Sequence, residues 1–228
     1  MRLRLDGGTG KTAWTTDRSV DFEGAHVTQR KAYCTPTVAW AGGRLQLISP
    51  SPKAVMAYDP NTGEELWRIR YRGWGIVPRP AAGLGLVFLT IDHDRPELWA
   101  VRPDGSGDVT DSHVVWSVDR GAPSVPSFLL VGDLIYAVSD HGIVSCVEAK
   151  SGQILWTQRV GGRFWASPIF AAGRIYFSRF DGVTTVIEPG RQYKPLAENR
   201  LDERIKASPA VAGEALFLRT ETHLYRIQ

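Results

Sequence analysis

The chain is short of cysteine, of charge imbalance and of long apolar runs, and each shortage excludes something. Two cysteines, Cys34 and Cys146, stand in 228 residues. Their separation matches no metal-ligand or redox spacing, so they read as two small thiols, buried or half-buried. Whether the two ever pair is left open by the residues. No stretch approaches the roughly 18 apolar residues of a membrane-crossing helix, so no span is expected. The net charge of +3 is too small to argue for nucleic acid, and no dense Lys/Arg stripe carries interleaved aromatics. Met1-Arg-Leu-Arg-Leu-Asp6 lacks the apolar centre of a signal peptide. Serine-containing stretches form no nucleophile elbow, and glycine-rich ones form no phosphate loop between a strand and a helix. Helical periodicity is scarcely present.

What the chain has in quantity is glycine and tryptophan, with 23 Gly and eight Trp. That composition suits many short strands joined by tight turns. The length is enough to bury a core without disulfides or metals. One stretch, Ala57-Tyr-Asp-Pro-Asn-Thr-Gly-Glu-Glu-Leu-Trp67, recurs. Asp6, Gly10 and Trp14 repeat the spacing of Asp59, Gly63 and Trp67, and so do Glu148, Gly152 and Trp156. In all three the acid lies eight residues before the Trp and the Gly four before it. Such a fixed offset is the mark of an internal repeat.

A second landmark has the same period. A proline opens a strand, a Gly-bearing turn follows, and a strongly apolar strand returns. Pro36, Pro80, Pro126, Pro168 and Pro209 head the five copies, spaced by 44, 46, 42 and 41 residues. Proline cannot donate to a ladder and belongs at the first residue of a strand. Four antiparallel strands per period of about 40–45 residues is the pattern of a β-propeller blade. The expectation is an all-β, single-domain propeller over 1–228, with complete blades near 34–70, 78–119, 123–160 and 164–201. Partial blades are expected at 1–17 and 206–228. Because the head carries a third strand that the tail already has, the chain is expected to be part of a longer ring of seven or eight blades, with a closed five-blade ring as the alternative. Two blades depart from the pattern. The second has a longer acidic turn (Asp104, Asp108, Asp111) before Trp116, read as a solvated surface turn. In the fourth, Leu196 stands at the Trp offset.

Asp-Pro-Asn-Thr-Gly-Glu-Glu-Leu-Trp67 and Glu-Ala-Lys-Ser-Gly-Gln-Ile-Leu-Trp156 resemble the tryptophan docking motif of PQQ-type (quinoprotein-like) propeller repeats. The resemblance covers nearly the whole chain. It implies that Trp14, Trp67, Trp116 and Trp156 pack between blades, and that the turn acids and glycines hold the hairpins presenting them. One branch of that family is the PQQ-dependent dehydrogenases. Another lacks the cofactor and serves as scaffold, as in the propeller lipoprotein of the bacterial outer-membrane β-barrel assembly machinery. The uninterrupted repeats here are most similar to the exported bacterial members, which implies an extracytoplasmic location in the periplasm or cell envelope.

The candidate chemistry is thin. No vicinal cysteine pair exists to lie against a quinone, and Asp6, Asp59, Glu148 and Glu188 sit at repeated turn positions, which makes them architecture. His26, His93, His113, His141 and His223 share no ligand spacing. The residues therefore favour a non-catalytic scaffold or binding module over an enzyme, with no metal and no cofactor. The alternative is part of a PQQ-dependent dehydrogenase, which would bring PQQ and Ca2+. One positional candidate remains. The loops that lead into the innermost strands share one face of a propeller, and they carry Arg30, Lys31, Arg79, Arg163, Trp165 and Lys206. A basic, aromatic-lined mouth of this kind suits a protein or peptide partner.

Overall fold

Short apolar runs separated by Gly-bearing turns can satisfy their backbone only by pairing with their sequence neighbours. The computed structural model describes residues 2–228 and does pair them so. Three four-stranded antiparallel meanders occur in succession. The first comprises Ala81–Gly83, Leu86–Ile91, Glu97–Val101 and Val114–Val118. The second comprises Leu129–Val131, Leu134–Val138, Ile143–Glu148 and Ile154–Arg159. The third comprises Ile169–Ala171, Arg174–Ser178, Val183–Glu188 and Lys194–Arg200. Ahead of them, Thr37–Ala41, Arg44–Ser51, Ala54–Tyr58 and Glu65–Arg70 form a similar meander with a fifth strand added. A two-stranded sheet, Arg2–Leu5 with Thr12–Thr16, lies at the head, and a three-stranded sheet, Ala210–Ala212, Ala215–Arg219 and Leu224–Ile227, at the tail. Among the described residues the helical pieces are a 3-10 turn at Val27–Arg30 and a single turn at Thr110–His113. The molecule is a β-propeller array, and its sheets are called blades from here on.

The second strands Leu86–Ile91 and Leu134–Val138 are buried on both faces, and their alternate residues serve different neighbours. Tyr136 and Val138 join Phe164, Ile175 and Phe177 of the following blade. Ile135 and Ala137, pointing the other way, join Phe88 and Leu98 of the preceding one. That is why these runs read as continuously apolar rather than alternating.

The repeated Trp is aimed by a bulge. In every sheet that carries one, a single extra residue precedes it on the outer strand: Ala13, Leu66, Val115 and Leu155 each fall in a register break, and the next residue is Trp14, Trp67, Trp116 or Trp156. A bulge turns the side chain after it out of the plain alternation and increases local twist. The indoles all point forward along the chain. Trp14 Nε1 donates to the Pro60 carbonyl at 3.0 Å, Trp116 Nε1 to Ala149 at 3.0 Å and Trp156 Nε1 to Gly190 at 3.1 Å. Each acceptor lies in the third-to-fourth-strand turn of the next blade. Trp67 reaches its target through a relay. Its Nε1 donates to Gln46 Oε1 at 2.7 Å, and Gln46 Nε2 donates to Pro103 at 2.8 Å.

The turn glycine therefore does more than close its own hairpin. A Cβ on Gly63 would lie 2.6 Å from the Trp14 ring, and one on Gly152 would lie 2.7 Å from Trp116. Both also have positive φ, at +77° and +74°. The turn acids close the hairpins: Asp59 Oδ1 accepts from the amides of Asn61 and Thr62, and Asp6 Oδ1 from those of Gly8 and Thr9. Gly10 makes the same turn bond as Gly63 and Gly152, its amide donating to the carbonyl of its turn acid.

Three expectations need correction. First, Pro126 does not stand where Pro80, Pro168 and Pro209 stand. Cα registers place Phe128 there, with Val38 in place of Pro36, so two of the five prolines lie two residues upstream of the common position. The buried Phe128 ring supplies core that proline would not. Second, Leu196 is the bulge residue, and Ala197, opposite Val186, takes the Trp register. Leu196 is exposed, so the fourth blade sends no indole forward. Tyr193 turns back and packs edge-on against Trp156, with centroids 5.2 Å apart. Third, the acidic turn is solvated at Asp104, Asp108 and Asp111, but it is more than a surface turn, since Gly107–Asp108 forms the parallel fifth strand on Glu65–Arg70 of the preceding blade. Arg70 Nε meets Asp108 Oδ2 at 2.6 Å, and Val109 is buried beside them.

Candidate binding face

In an antiparallel meander, the loop that leads into the first strand and the hairpin joining the second to the third lie at the same end of the sheet. The docking turns lie at the other end. All lead-in loops thus share one face, well separated from the Trp machinery. On that face the lead-in segments alternate like strands. A buried residue (Ile76, Ala122, Phe164 or Ile205) drops into the core between blades, and around Phe164 and Ile205 both neighbours are exposed. In two successive loops the flanks are Arg163 and Trp165 around Phe164, then Arg204 and Lys206 around Ile205.

The hairpin between them contributes Phe180. Its amide donates to the Arg163 carbonyl at 2.8 Å, and its own carbonyl accepts from Ile205 at 3.0 Å, so it is stitched to both loops. The Trp165 and Phe180 rings lie 5.0 Å apart. Arg163 sits 5.7 Å from the Trp165 ring centre and 5.9 Å from that of Phe180. Arg204 sits 5.6 Å from Phe180, and Lys206 Nζ sits 5.6 Å and 5.7 Å from Trp165 and Phe180. Three cations on two π faces is a favourable electrostatic arrangement. A cavity of about 330 Å³ opens beside it, lined by Arg204, Lys206, Arg219, Thr220 and Glu221.

The acids nearby are largely engaged elsewhere. Arg179 grips Asp181 with Nε at 2.9 Å and Nη2 at 2.6 Å, which lowers the carboxyl pKa below its ordinary value. Glu203 accepts from the Thr220 and Thr222 hydroxyls and from His223, and these bonds pull its pKa down to about 2. Glu221 faces Arg204 at 3.6 Å and Lys206 at 3.5 Å.

Of the residues singled out from sequence, Arg163, Trp165 and Lys206 come together, and the other three do not join them by any contact. Arg79 turns to Thr37, whose Oγ1 accepts from its Nε at 3.2 Å. Arg30 Nε donates to the Ala25 carbonyl at 2.9 Å, within the 3-10 turn region. Lys31 is an exposed helix-end residue whose amide donates to Thr28. Arg204 joins the cluster from the same lead-in loop as Lys206, and two further members of it, Phe180 and Glu221, were missed. They sit in hairpins rather than lead-in loops, and only the observation that both segments share an end of the blade would have drawn them in.

A family model described as outer membrane protein assembly factor BamB matches residues 3–228. The chain belongs to this family. Curated BamB proteins resemble it at 26% identity over 196 residues in Moranella endobia (strain PCIT), which covers 78% of this chain and 47% of that protein. For Shewanella oneidensis the figures are 27% over 140 residues, 54% and 32%. The chain thus spans less than half the length of these relatives. BamB from Moraxella catarrhalis superposes over 96% of this chain and 63% of its own, with a TM-score of 0.69 and 15% identity. A quinohemoprotein alcohol dehydrogenase from Pseudomonas putida HK5 superposes over 88% of this chain with a TM-score of 0.66 at 14% identity, a likeness of fold.

The quinone chemistry of that last neighbour can be tested against the residues present. Cys34 and Cys146 belong to different blades, and Cys146 is buried with its pKa pushed up to about 11, mainly by desolvation. Among the described residues no three His, Cys, Asp or Glu side chains converge as a metal would require. The turn acids spend their oxygens on hairpin bonds. Glu148 accepts from Ser151 within its turn at 2.7 Å and, across to the next blade, from Arg191 at 2.8 Å. These residues do not fit a quinone and its calcium ion.

Proposed function

We propose that this BamB-family chain is a non-catalytic scaffold in the cell envelope, outside the cytoplasm, that works without a cofactor. It holds a protein partner on the face formed by the lead-in loops. The observation that carries the reading is the cluster of Arg163, Trp165, Phe180, Arg204 and Lys206. Long cationic side chains lie on an exposed Trp165 ring and a half-buried Phe180 ring there, at the end of the blades that docking leaves free. Aromatic and Arg side chains of this kind anchor protein interfaces. Family membership supports the role, since the curated relatives bear the name of outer membrane protein assembly factors. It supports the location for the same reason. We further propose that the four-stranded blades belong to a longer ring of seven or eight.

The test is an affinity capture from an envelope extract of the source cells, with the wild-type chain and the Arg163→Gln/Trp165→Ala/Lys206→Gln variant as baits. The expected result is loss of a specific protein from the variant's eluate while its thermal melt stays within a few degrees of wild type. An unchanged set of captured proteins overturns the face assignment. Adding PQQ and Ca2+ checks the other branch of the fold, and saturable binding with dye reduction by an alcohol or sugar would replace the scaffold reading.

A further inference from the structure

The ion pairs at the cluster are unevenly made. Asp181 and Glu203 are held at hydrogen-bond distance by their own partners. Glu221 is not: its Oε1 stands 3.6 Å from Arg204 and 3.5 Å from Lys206, beyond the distance of a charge-assisted hydrogen bond. Its side chain is 43% exposed, and those of Arg204 and Lys206 are 62% and 51% exposed. Arg163 has no ion pair among the described residues and faces only the Trp165 and Phe180 rings. Glu203, beside Arg204 and Glu221, keeps its negative charge but turns its oxygens to Thr220, Thr222 and His223. With Arg219, which lines the same cavity, the four cations Arg163, Arg204, Lys206 and Arg219 stand against two carboxylates, an excess of two positive charges, and Glu221 is the carboxylate that faces them.

We infer that Glu221 is an internal competitor for this site, and that the segment it competes with is an acidic stretch of the partner carrying carboxylates next to an aromatic or apolar residue. The inference rests on the proposed docking face and specifies its partner's chemistry. An incoming carboxylate takes the Arg204–Lys206 fork in the close geometry that Glu221 does not reach from its hairpin. A second carboxylate pairs with Arg163, and an apolar neighbour lies on the exposed edge of Trp165. Glu221 swings to solvent at little cost, because an exposed ion pair is weak. The carboxylate's presence in the free protein keeps like charges from repelling one another around the rings and raises the threshold for weakly acidic, unsuitable chains.

The experiment uses the full chain and a fluorescein-labelled peptide in which Asp and Glu alternate with Phe, read by anisotropy. A peptide of the same order with Asn and Gln is the control. The acidic peptide binds and the amide peptide does not. Glu221→Gln tightens binding by about two- to fivefold, the size expected when a surface ion pair no longer competes. Glu214→Gln changes the net charge equally but lies in the turn at the opposite end of the same sheet, and it leaves affinity unchanged. Arg204→Gln weakens binding. The inference is overturned if Glu221→Gln fails to tighten binding, if Glu214→Gln tightens it as much, or if the amide peptide binds equally well. It is also overturned if the acidic peptide does not bind at all, or if phosphatidylglycerol vesicles are retained where the peptide is not. If the acidic peptide fails while the triple variant still loses its captured protein, the docking face stands and the Glu221 inference falls. If the triple variant keeps its captured protein, the face itself falls.

Discussion

At the residue scale, the stability of the array rests on indoles and on the glycines that receive them. Trp67 is fully buried, so Trp67→Ala should cost about 3–5 kcal/mol by denaturant unfolding. Trp116→Phe should cost less, about 1 kcal/mol, since it keeps the ring's bulk and loses the bond to Ala149. Gly152→Ala should be worse than an ordinary surface change, because its positive φ and the Trp116 ring both oppose a Cβ. Glu203 gives a pH signature. Its pKa is held near 2 in the folded chain against an ordinary 4.5, so its bonds contribute in full above about pH 4.5 and are lost as the pH falls towards 2. Melting temperatures of wild type and Glu203→Gln should differ at pH 7 and converge near pH 2. The acid–Gly–Trp offset was legible in sequence because it is covalent spacing. Which glycine meets which Trp was not, since Trp14 and Gly63 belong to different blades and only packing joins them. The same is true of Phe180, which touches Trp165 through space from a neighbouring hairpin.

At the scale of elements, the innermost strands are tied by a belt that repeats from blade to blade. The amide of Arg79 donates to Ser127 Oγ at 3.0 Å, that of Ser127 to Ser167 Oγ at 2.9 Å, and that of Ser167 to Ser208 Oγ at 2.9 Å. Ser167→Ala removes an acceptor and strands the Ser127 amide, so it should destabilise the chain by about 1–2 kcal/mol, measured by urea titration. Strand number and order were readable from turn glycines and apolar runs, because strand pairing here is local. Fine register was not. Pro126 imitates the proline landmark, yet burial of the Phe128 ring decides the alignment, and a bulge of one residue moves the Trp position from Leu196 to Ala197. The Gly107–Asp108 strand was equally hidden. It pairs with a blade some forty residues earlier, and its sequence looks like any acidic turn.

At the scale of the whole molecule, stability in such an array is a sum of blade and interface terms. The interface after the fourth blade is thin. Ala197 stands where an indole would, and the shared core there is a small cluster built on Ala166, Ile205 and Leu218. Hydrogen exchange should therefore be fastest in 206–228 and slowest in the second strands of the earlier blades, and uniform protection would contradict this ordering. The forward-pointing indoles also have a meaning for assembly. Each of the first three full blades offers an indole donor on one side and an acceptor turn on the other, so the contact is heterologous and carries a direction. A module of this kind can be duplicated, removed or exchanged without a new interface being devised, provided its donor meets some carbonyl and some bare glycine in the module ahead. The indole and the glycine act as plug and socket, and lineages can change the number of blades while leaving the wiring between them untouched.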